Sequence, residues 1–226
     1  MTSIVLAGGR SSRLGWNKAL QLIEGRSLIQ WVVDCLAVFS TELIIASADG
    51  ETIPCASPVP MRAVADARRG KGPLAGIYSG LAAATSSKAI VVACDMPFLN
   101  AELLCYMYRI STGFDVVMPA TDKGIEPLCA VYSRQCLAPI RSLLDRDRLG
   151  VRELLDMVRV RYVYEDELDS YDPERLSLFN INSLADLDRA RGLVDENRWL
   201  LSGYSADSPS LPVASAPWLA RSRDAV

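Results

Sequence analysis

The chain has 226 residues, half of them hydrophobic, with 24 basic and 27 acidic side chains and a net charge of −3. That length supports one sizeable core rather than two domains, and the well-mixed charge gives no basis for bulk electrostatic binding of nucleic acid. Histidine is absent, which excludes a Ser-His-Asp or Cys-His mechanism and any His-ligated metal site. If the chain is an enzyme, its chemistry rests on carboxylates, Lys, Arg, backbone amides and a hard metal ion.

The six cysteines form no C-x-x-C pair, so neither a zinc ribbon nor a thioredoxin-like motif is supported. They read as small buried hydrophobes, Cys94 included. No apolar run reaches transmembrane length, and the N-terminus shows no signal-peptide pattern. The expected location is the cytoplasm, without membrane or nucleic-acid partners.

Ser3 to Ala7 is a short apolar run that reads as a buried strand. Gly8 and Gly9 follow at once, then Arg13 and Lys18. Glycine lets a ligand approach the main chain, and a row of free N–H groups makes a nest for an anion. An apolar strand, a pliable turn and two cations suggest a phosphate site at the carboxyl end of a strand, where open α/β sheets bind ligands. On spacing alone, an ordinary strand–turn–helix connection with surface charges fits equally well. The loop is neither a Walker motif nor a G-x-G-x-x-G fingerprint.

A turn at Glu24-Gly25-Arg26 precedes a helix over about 28–39, capped by Ser27, with Leu28, Val32 and Leu36 on one face. Glu42 to Ser47 is a second buried strand. After a Pro-rich loop, Arg62-Ala63-Val64 is a short strand leading into Asp66. Pro73 suits the first position of a helix that runs to about Ala84. Leu74, Ile77 and Leu81 point inward there, while Gly76 and Gly80 give a small-residue edge. Asp66 is either a loop cap or a ligand group.

Ala89 to Cys94 reads as a central strand, apolar throughout as in a parallel sheet covered on both faces. It ends at Asp95-Met96-Pro97. An Asp at the carboxyl tip of a buried strand projects into the ligand crevice. The competing role, capping the next helix, falls to Asn100 instead. A helix over about 101–110, a strand over 115–118, and a strand over 129–132 follow. Helices over about 134–145 and 150–157 precede a strand near 159–164. Arg146, Arg148 and Arg152 at the helix junction form a solvated face or meet an anionic acceptor. Asn180 and Asn182 alternate on an expected strand and so share a face. Ser183 and Asp186 form a capping signal for the last helix. From residue 195 to 226 the composition turns to Ser, Pro and Ala, which reads as a mobile C-terminal extension after a domain over 1–194.

Strands alternating with helices predict α/β architecture: a single three-layer domain with a mostly parallel sheet. Four motifs in order resemble those of the molybdenum cofactor guanylyltransferases, the MobA-type nucleotidyltransferase family. They are the L-A-G-G-x-x-x-R-L-G-x-x-K loop over 6–18, Asp66 with Pro73-Leu74-Ala75-Gly76, Asp95-Met96-Pro97, and Asn180-Ile181-Asn182. The strand Pro127 to Tyr132 matches the family's P-L-x-A-x-Y.

The resemblance implies a Rossmann-like nucleotidyltransferase fold and transfer of GMP from GTP to the terminal phosphate of molybdopterin. It implies nucleotide binding by Leu6, Ala7, Gly8, Gly9, Lys18, Asp66 and Asp95, and catalytic roles for Arg13, Lys18 and Asp95. Asp95 would hold Mg2+ as cofactor. Asn180 and Asn182 would seat the acceptor; many sugar-nucleotide transferases have an acidic second metal ligand there, so the amides weaken a two-metal reading. The implied partners are GTP and molybdopterin, with molybdoenzyme apoproteins or their chaperones downstream. A sibling using CTP or a sugar or alcohol phosphate, and a non-catalytic cofactor-delivery module, remain as alternatives.

Overall fold

The computed structural model describes residues 1–8, 18–50 and 52–196. Strand β1 (Thr2–Leu6) opens the chain, and a 3-10 turn at Lys18–Leu20 leads into a hairpin of β2 (Leu22–Ile23) and β3 (Arg26–Ser27). Glu24 and Gly25 both have positive φ, 49° and 75°, the mirror-image turn whose twist suits two-residue hairpins. Then come α1 (Leu28–Ala37), β4 (Glu42–Ser47), β5 (Met61–Ala65), α2 (Gly72–Ala83), β6 (Lys88–Ala93) and α3 (Ala101–Arg109). The second half holds β7 (Val116–Thr121), β8 (Gly124–Ile125), β9 (Cys129–Ser133), α4 (Leu137–Asp145), α5 (Val151–Leu155), β10 (Val160–Val163), α6 (Glu165–Asp169) and α7 (Leu184–Glu196). Among the described residues, no helix is long and apolar enough to cross a membrane.

The main sheet runs β5–β4–β1–β6–β9–β7–β10, with β8 paired to β7 off that path. Neighbours β5, β4, β1 and β6 are parallel, as are β7 and β10. Strand β9 is antiparallel to both β6 and β7. The mostly parallel three-layer fold expected from the sequence is therefore observed. The reversed strand has a geometric result: residues just before β9 arrive at the same edge of the sheet where the parallel strands end.

Period-2 alternation splits the core into two layers. Val5, Leu43, Ile45, Ile90 and Val92 face α1 and α3. Their neighbours Ile4, Leu6, Ile44, Ala46, Ala89 and Val91 face α2, α4 and α5. Each fully buried aliphatic side chain of this kind contributes roughly 1.5–3 kcal/mol. Helix α1 starts at Ser27, whose hydroxyl accepts from Gln30 N at 3.3 Å. Helix α2 has Pro73 in its first turn and no side-chain cap. It lies so near β1 that a Cβ on Gly80 would stand 2.5 Å from Ile4 Cγ2, and one on Gly76 3.1 Å from Leu6 Cδ2. The small-residue edge is thus the contact surface with β1.

A third cluster joins Ile23, Leu28, Trp31 and Phe98 to Ile181, Leu187, Ala190 and Val194, fixing α7 to the hairpin and to α1. One expectation needs correction. Residues 179–182 pair in no ladder, so the strand expected there is an extended loop. Helix α7 continues through Glu196; residues 197–226, nearly all of the expected mobile C-terminal extension, lie outside the described residues. Helix α6 and a 3-10 turn at Leu176–Leu178 are additions to the expected elements, because five residues reading Glu-Asp-Glu-Leu-Asp carry too little apolar periodicity to show.

Candidate active site

A cleft of about 370 Å³ opens at the carboxyl edge of the parallel strands, within the size range of small-ligand sites. Leu6, Ala7 and Gly8 form one wall, at the end of β1. Ala93, Cys94 and Asp95 form the floor, at the end of β6. Lys18, Pro73, Glu126, Asn180 and Asn182 close it. Of the expected site residues, Leu6, Ala7, Gly8, Lys18, Asp95, Asn180 and Asn182 are brought together here. Gly9 and Arg13 lie outside the described residues. Arg152 is exposed on α5 beside Gly124, Arg146 ends α4, and Arg148 pairs with Glu153.

Asp95 sits one residue past Cys94, at the tip of β6, with its side chain 18% exposed. Lys18 Nζ donates to Asp95 Oδ2 at 3.3 Å and to Asn182 Oδ1 at 2.8 Å. The backbone of Asp95 also anchors the far wall, since Ile181 N donates to Asp95 O at 3.0 Å. Ile181 is buried in the third core cluster, so its two Asn neighbours line the cleft instead. The alternation expected of a strand holds without a ladder. Asp186 secures the next turn by accepting from Asn182 N and Ser183 N at 2.9 and 2.8 Å, while Asp186 N donates to Ser183 Oγ at 3.2 Å. The Ser183 hydroxyl and these amides hold the Asp186 carboxyl below its usual range.

Asp66 lies beside the Gly8 wall. Its N donates to Ser47 O at 2.9 Å. A Cβ on Gly8 would meet Asp66 Oδ2 at 3.3 Å, and one on Gly76 would meet Oδ1 at 3.4 Å. The two glycines therefore make room for this carboxylate. Asp66 Oδ1 is buried and accepts no hydrogen bond among the described residues. Burial raises its pKa. A buried acceptor without a donor is costly, and a ligand's N–H or O–H would satisfy it. Among the described residues, no hydrogen bond to the Asp66 side chain supports the loop-cap alternative.

Glu126 is a site residue that the sequence reading misses. It precedes β9 and lines the cleft with Asp95. Its Oε1 accepts from Leu128 N at 3.1 Å and its Oε2 from Asn180 Nδ2 at 3.1 Å. Burial raises its pKa, opposed by those two hydrogen bonds, while the charge of Asp95 adds to the rise. The signal available is a lone Glu before Pro127-Leu128, and nothing local says that β9 runs backwards. Cys94 is the converse: burial pushes its thiol up to about 12, so it stays neutral and packs, as expected.

Among the described residues, the cleft is lined by two carboxylates, two side-chain amides and one ammonium. Among the described residues there is no cluster of three or more His, Cys, Asp and Glu. One or two carboxylates suit Mg2+, which takes its remaining ligands from phosphate and water. Asp95 at the strand tip fits that requirement, whereas both oxygens of Glu126 are taken by Leu128 N and Asn180 Nδ2.

The sequence profile described as the MobA-like NTP transferase domain matches residues 3–163. A probable molybdenum cofactor guanylyltransferase from Pelotomaculum thermopropionicum is 37% identical over 204 residues, covering 88% of this chain and 98% of that protein. The molybdenum cofactor guanylyltransferase of Desulfosudis oleivorans is 35% identical over 200 residues, with the same two coverages, 88% and 98%. Among solved structures, molybdopterin-guanine dinucleotide biosynthesis protein A from Archaeoglobus fulgidus superposes with a TM-score of 0.74 at 27% identity, covering 87% of this chain and all of that one. The 2-C-methyl-D-erythritol 4-phosphate cytidylyltransferase of Thermus thermophilus shares the fold, with a TM-score of 0.62 at 17% identity and coverages of 85% and 98%.

Proposed function

The chain belongs to the MobA-like NTP transferase family, and from that premise we propose that it transfers GMP from GTP to the terminal phosphate of molybdopterin. The products are molybdopterin guanine dinucleotide and pyrophosphate. The observation that carries this reading is the meeting of Lys18, Asp95 and Asn182 at one hydrogen-bonded point in the cleft, in a chain whose near-full-length relatives are named guanylyltransferases.

In the reaction, an oxygen of the acceptor's phosphate forms a bond to the α-phosphorus of GTP. The bond from that phosphorus to the β-phosphate bridging oxygen breaks, and its electron pair leaves with pyrophosphate. An ionised phosphate monoester is already a nucleophile, so no histidine base is needed. Catalysis then rests on positioning and charge neutralisation. The backbone amides after β1 and the ammonium of Lys18 hold the triphosphate and take up charge on the leaving group. Asp66 accepts hydrogen bonds from the nucleotide beside Gly8. Asn182 and Asn180 line the acceptor side. Asp95 would hold Mg2+, which supplies Lewis-acid neutralisation of phosphate charge when bound. The dinucleotide product would pass to molybdoenzyme apoproteins or their chaperones.

The test is purified protein with magnesium, molybdopterin and each of the four nucleoside triphosphates, read by product mass. The expected product is the guanine dinucleotide alone, with one pyrophosphate released per turnover. Equal turnover of CTP would remove the guanylyl assignment and leave a nucleotidyltransferase.

A further inference from the structure

Asn180 lines the cleft, and its Nδ2 is enclosed by two groups that only accept: Glu126 Oε2 at 3.1 Å and Leu178 O at 3.3 Å. A carbonyl oxygen placed there would face two oxygens, so the NH2 end must occupy that side. The other end, Oδ1, accepts no hydrogen bond among the described residues. Glu126 is itself held, since Leu128 N donates to its Oε1 at 3.1 Å. The next cleft residue has the opposite polarity. Asn182 Oδ1 is taken by Lys18 Nζ at 2.8 Å, which leaves its NH2 end for a ligand.

We infer that Glu126 is a positioning residue that locks Asn180 with its amide oxygen available to the cleft, so that this part of the acceptor wall takes a hydrogen-bond donor of the acceptor substrate, a ring N–H or amino group, rather than a phosphate oxygen. The inference rests on the reading of the cleft as a nucleotidyl-transfer site and adds a polarity to it. Phosphate oxygens only accept, and they suit the NH2 of Asn182. An amide oxygen repels them and instead selects a partner that carries hydrogen. A site built this way discriminates strongly, because an analogue lacking the donor leaves a polar group unpaired.

The test is a reciprocal exchange. Glu126→Gln keeps the shape, and its new NH2 end falls opposite Asn180, because the oxygen end is still needed by Leu128 N. The lock is lost. KM for molybdopterin should rise about tenfold, while KM for GTP stays within about twofold. Asn180→Asp alone sets a carboxylate against Glu126 and should raise the same KM. In the double variant Glu126→Gln with Asn180→Asp, the new NH2 donates to the new carboxylate, and an oxygen again serves the cleft. KM for molybdopterin should return to within about threefold of the parent. A merely structural role would instead lower the melting temperature and shift both KM values together.

A second readout is independent of turnover. The side-chain NH2 resonances of Asn180, assigned by their loss in Asn180→Asp, should exchange slowly in the parent protein and fast in Glu126→Gln. An unchanged KM for molybdopterin in Glu126→Gln, a double variant no better than the singles, or unaltered Asn180 amide exchange would each overturn the proposal. Failure of the parent to form any dinucleotide would sink the guanylyl reading, and the exchange measurement would still decide the lock.

Discussion

Lys18 Nζ stands 3.3 Å from Asp95 Oδ2, joining residues 77 positions apart in the chain. Both side chains keep about a fifth of their surface exposed, 21% and 18%. An ion pair so placed contributes at most about 1 kcal/mol to stability. Its value is positional, since it holds a cation where phosphate oxygens would gather. Lys18→Ala should therefore leave the melting temperature nearly unchanged, weaken GTP binding, and slow transfer. Thermal melts with steady-state kinetics check this; normal turnover in the folded variant would remove Lys18 from the mechanism.

Asp95→Asn preserves shape and removes the charge at the tip of β6. Loss of several kcal/mol of transition-state stabilisation corresponds to a fall in activity of roughly two orders of magnitude or more, at about 1.4 kcal/mol per tenfold. Activity titrated against magnesium is the measurement. A small loss with unaltered magnesium dependence would mean that Asp95 only shapes the loop.

Asp66 ties function to a pH-dependent cost. Burial raises its folded-state pKa, so the folded protein holds this proton more tightly than the unfolded chain. The sign follows: stability linked to this group is greatest below the ordinary carboxylate range and declines as pH rises through the raised pKa. Asp66→Asn should therefore be more stable than the parent at pH 7, by about 1 kcal/mol, with the difference shrinking toward pH 4. GTP affinity should fall in the same variant. Urea unfolding across that pH range, beside nucleotide titration at pH 7, separates the two effects; a destabilised variant at pH 7 would show that Asp66 is satisfied in the folded protein.

Two glycines in helices should respond in opposite senses to alanine. At Gly80 the new Cβ would press on Ile4 Cγ2 at 2.5 Å, and Ile4 is β-branched and fully buried. Overpacking of this kind costs about 1–3 kcal/mol, more than the helix propensity gained. At Gly192 in α7 the added methyl meets nothing within 4 Å, so propensity alone acts and should stabilise by about 1 kcal/mol. Denaturant midpoints of the two variants test the contrast. Equal midpoints would show that α2 can lift away from β1.

Much of the layout is legible in the sequence because it is written in local periodicity. Glu42–Ser47 coincides with the strand read from its apolar run, and β6 ends where the apolar run meets Asp95. Ser27, Asn100 and the Ser183–Asp186 pair cap as their spacing predicts. What local pattern cannot carry is the direction of a strand within the sheet. The run Cys129–Ser133 is uniformly buried and would look the same parallel or antiparallel, so nothing flags Glu126 as a neighbour of Asp95. Asn180 and Asn182 share a face, but strand alternation is only half the reason: the anchored Ile181 between them sets it, and not a ladder. The largest part of the expected phosphate loop, with Gly9 and Arg13, lies outside the described residues.

Strand β9 also imposes an order of assembly. It is the last arrival between two strands made earlier, pairing Val92 with Cys129 on one side and Val116 with Tyr132 on the other. A ribosome-bound chain that has released β6 and β7 cannot join them directly in the native arrangement. Until residue 133 emerges, β6 keeps an open, apolar edge of the kind that invites pairing with other chains. The same insertion carries Glu126 to the cleft, so closing that edge and placing the partner of Asn180 are one event. A nascent fragment can therefore hold Gly8 and Asp95 at the edge of a formed half-sheet and still lack Glu126, Asn180 and Asn182, which line the rest of the cleft.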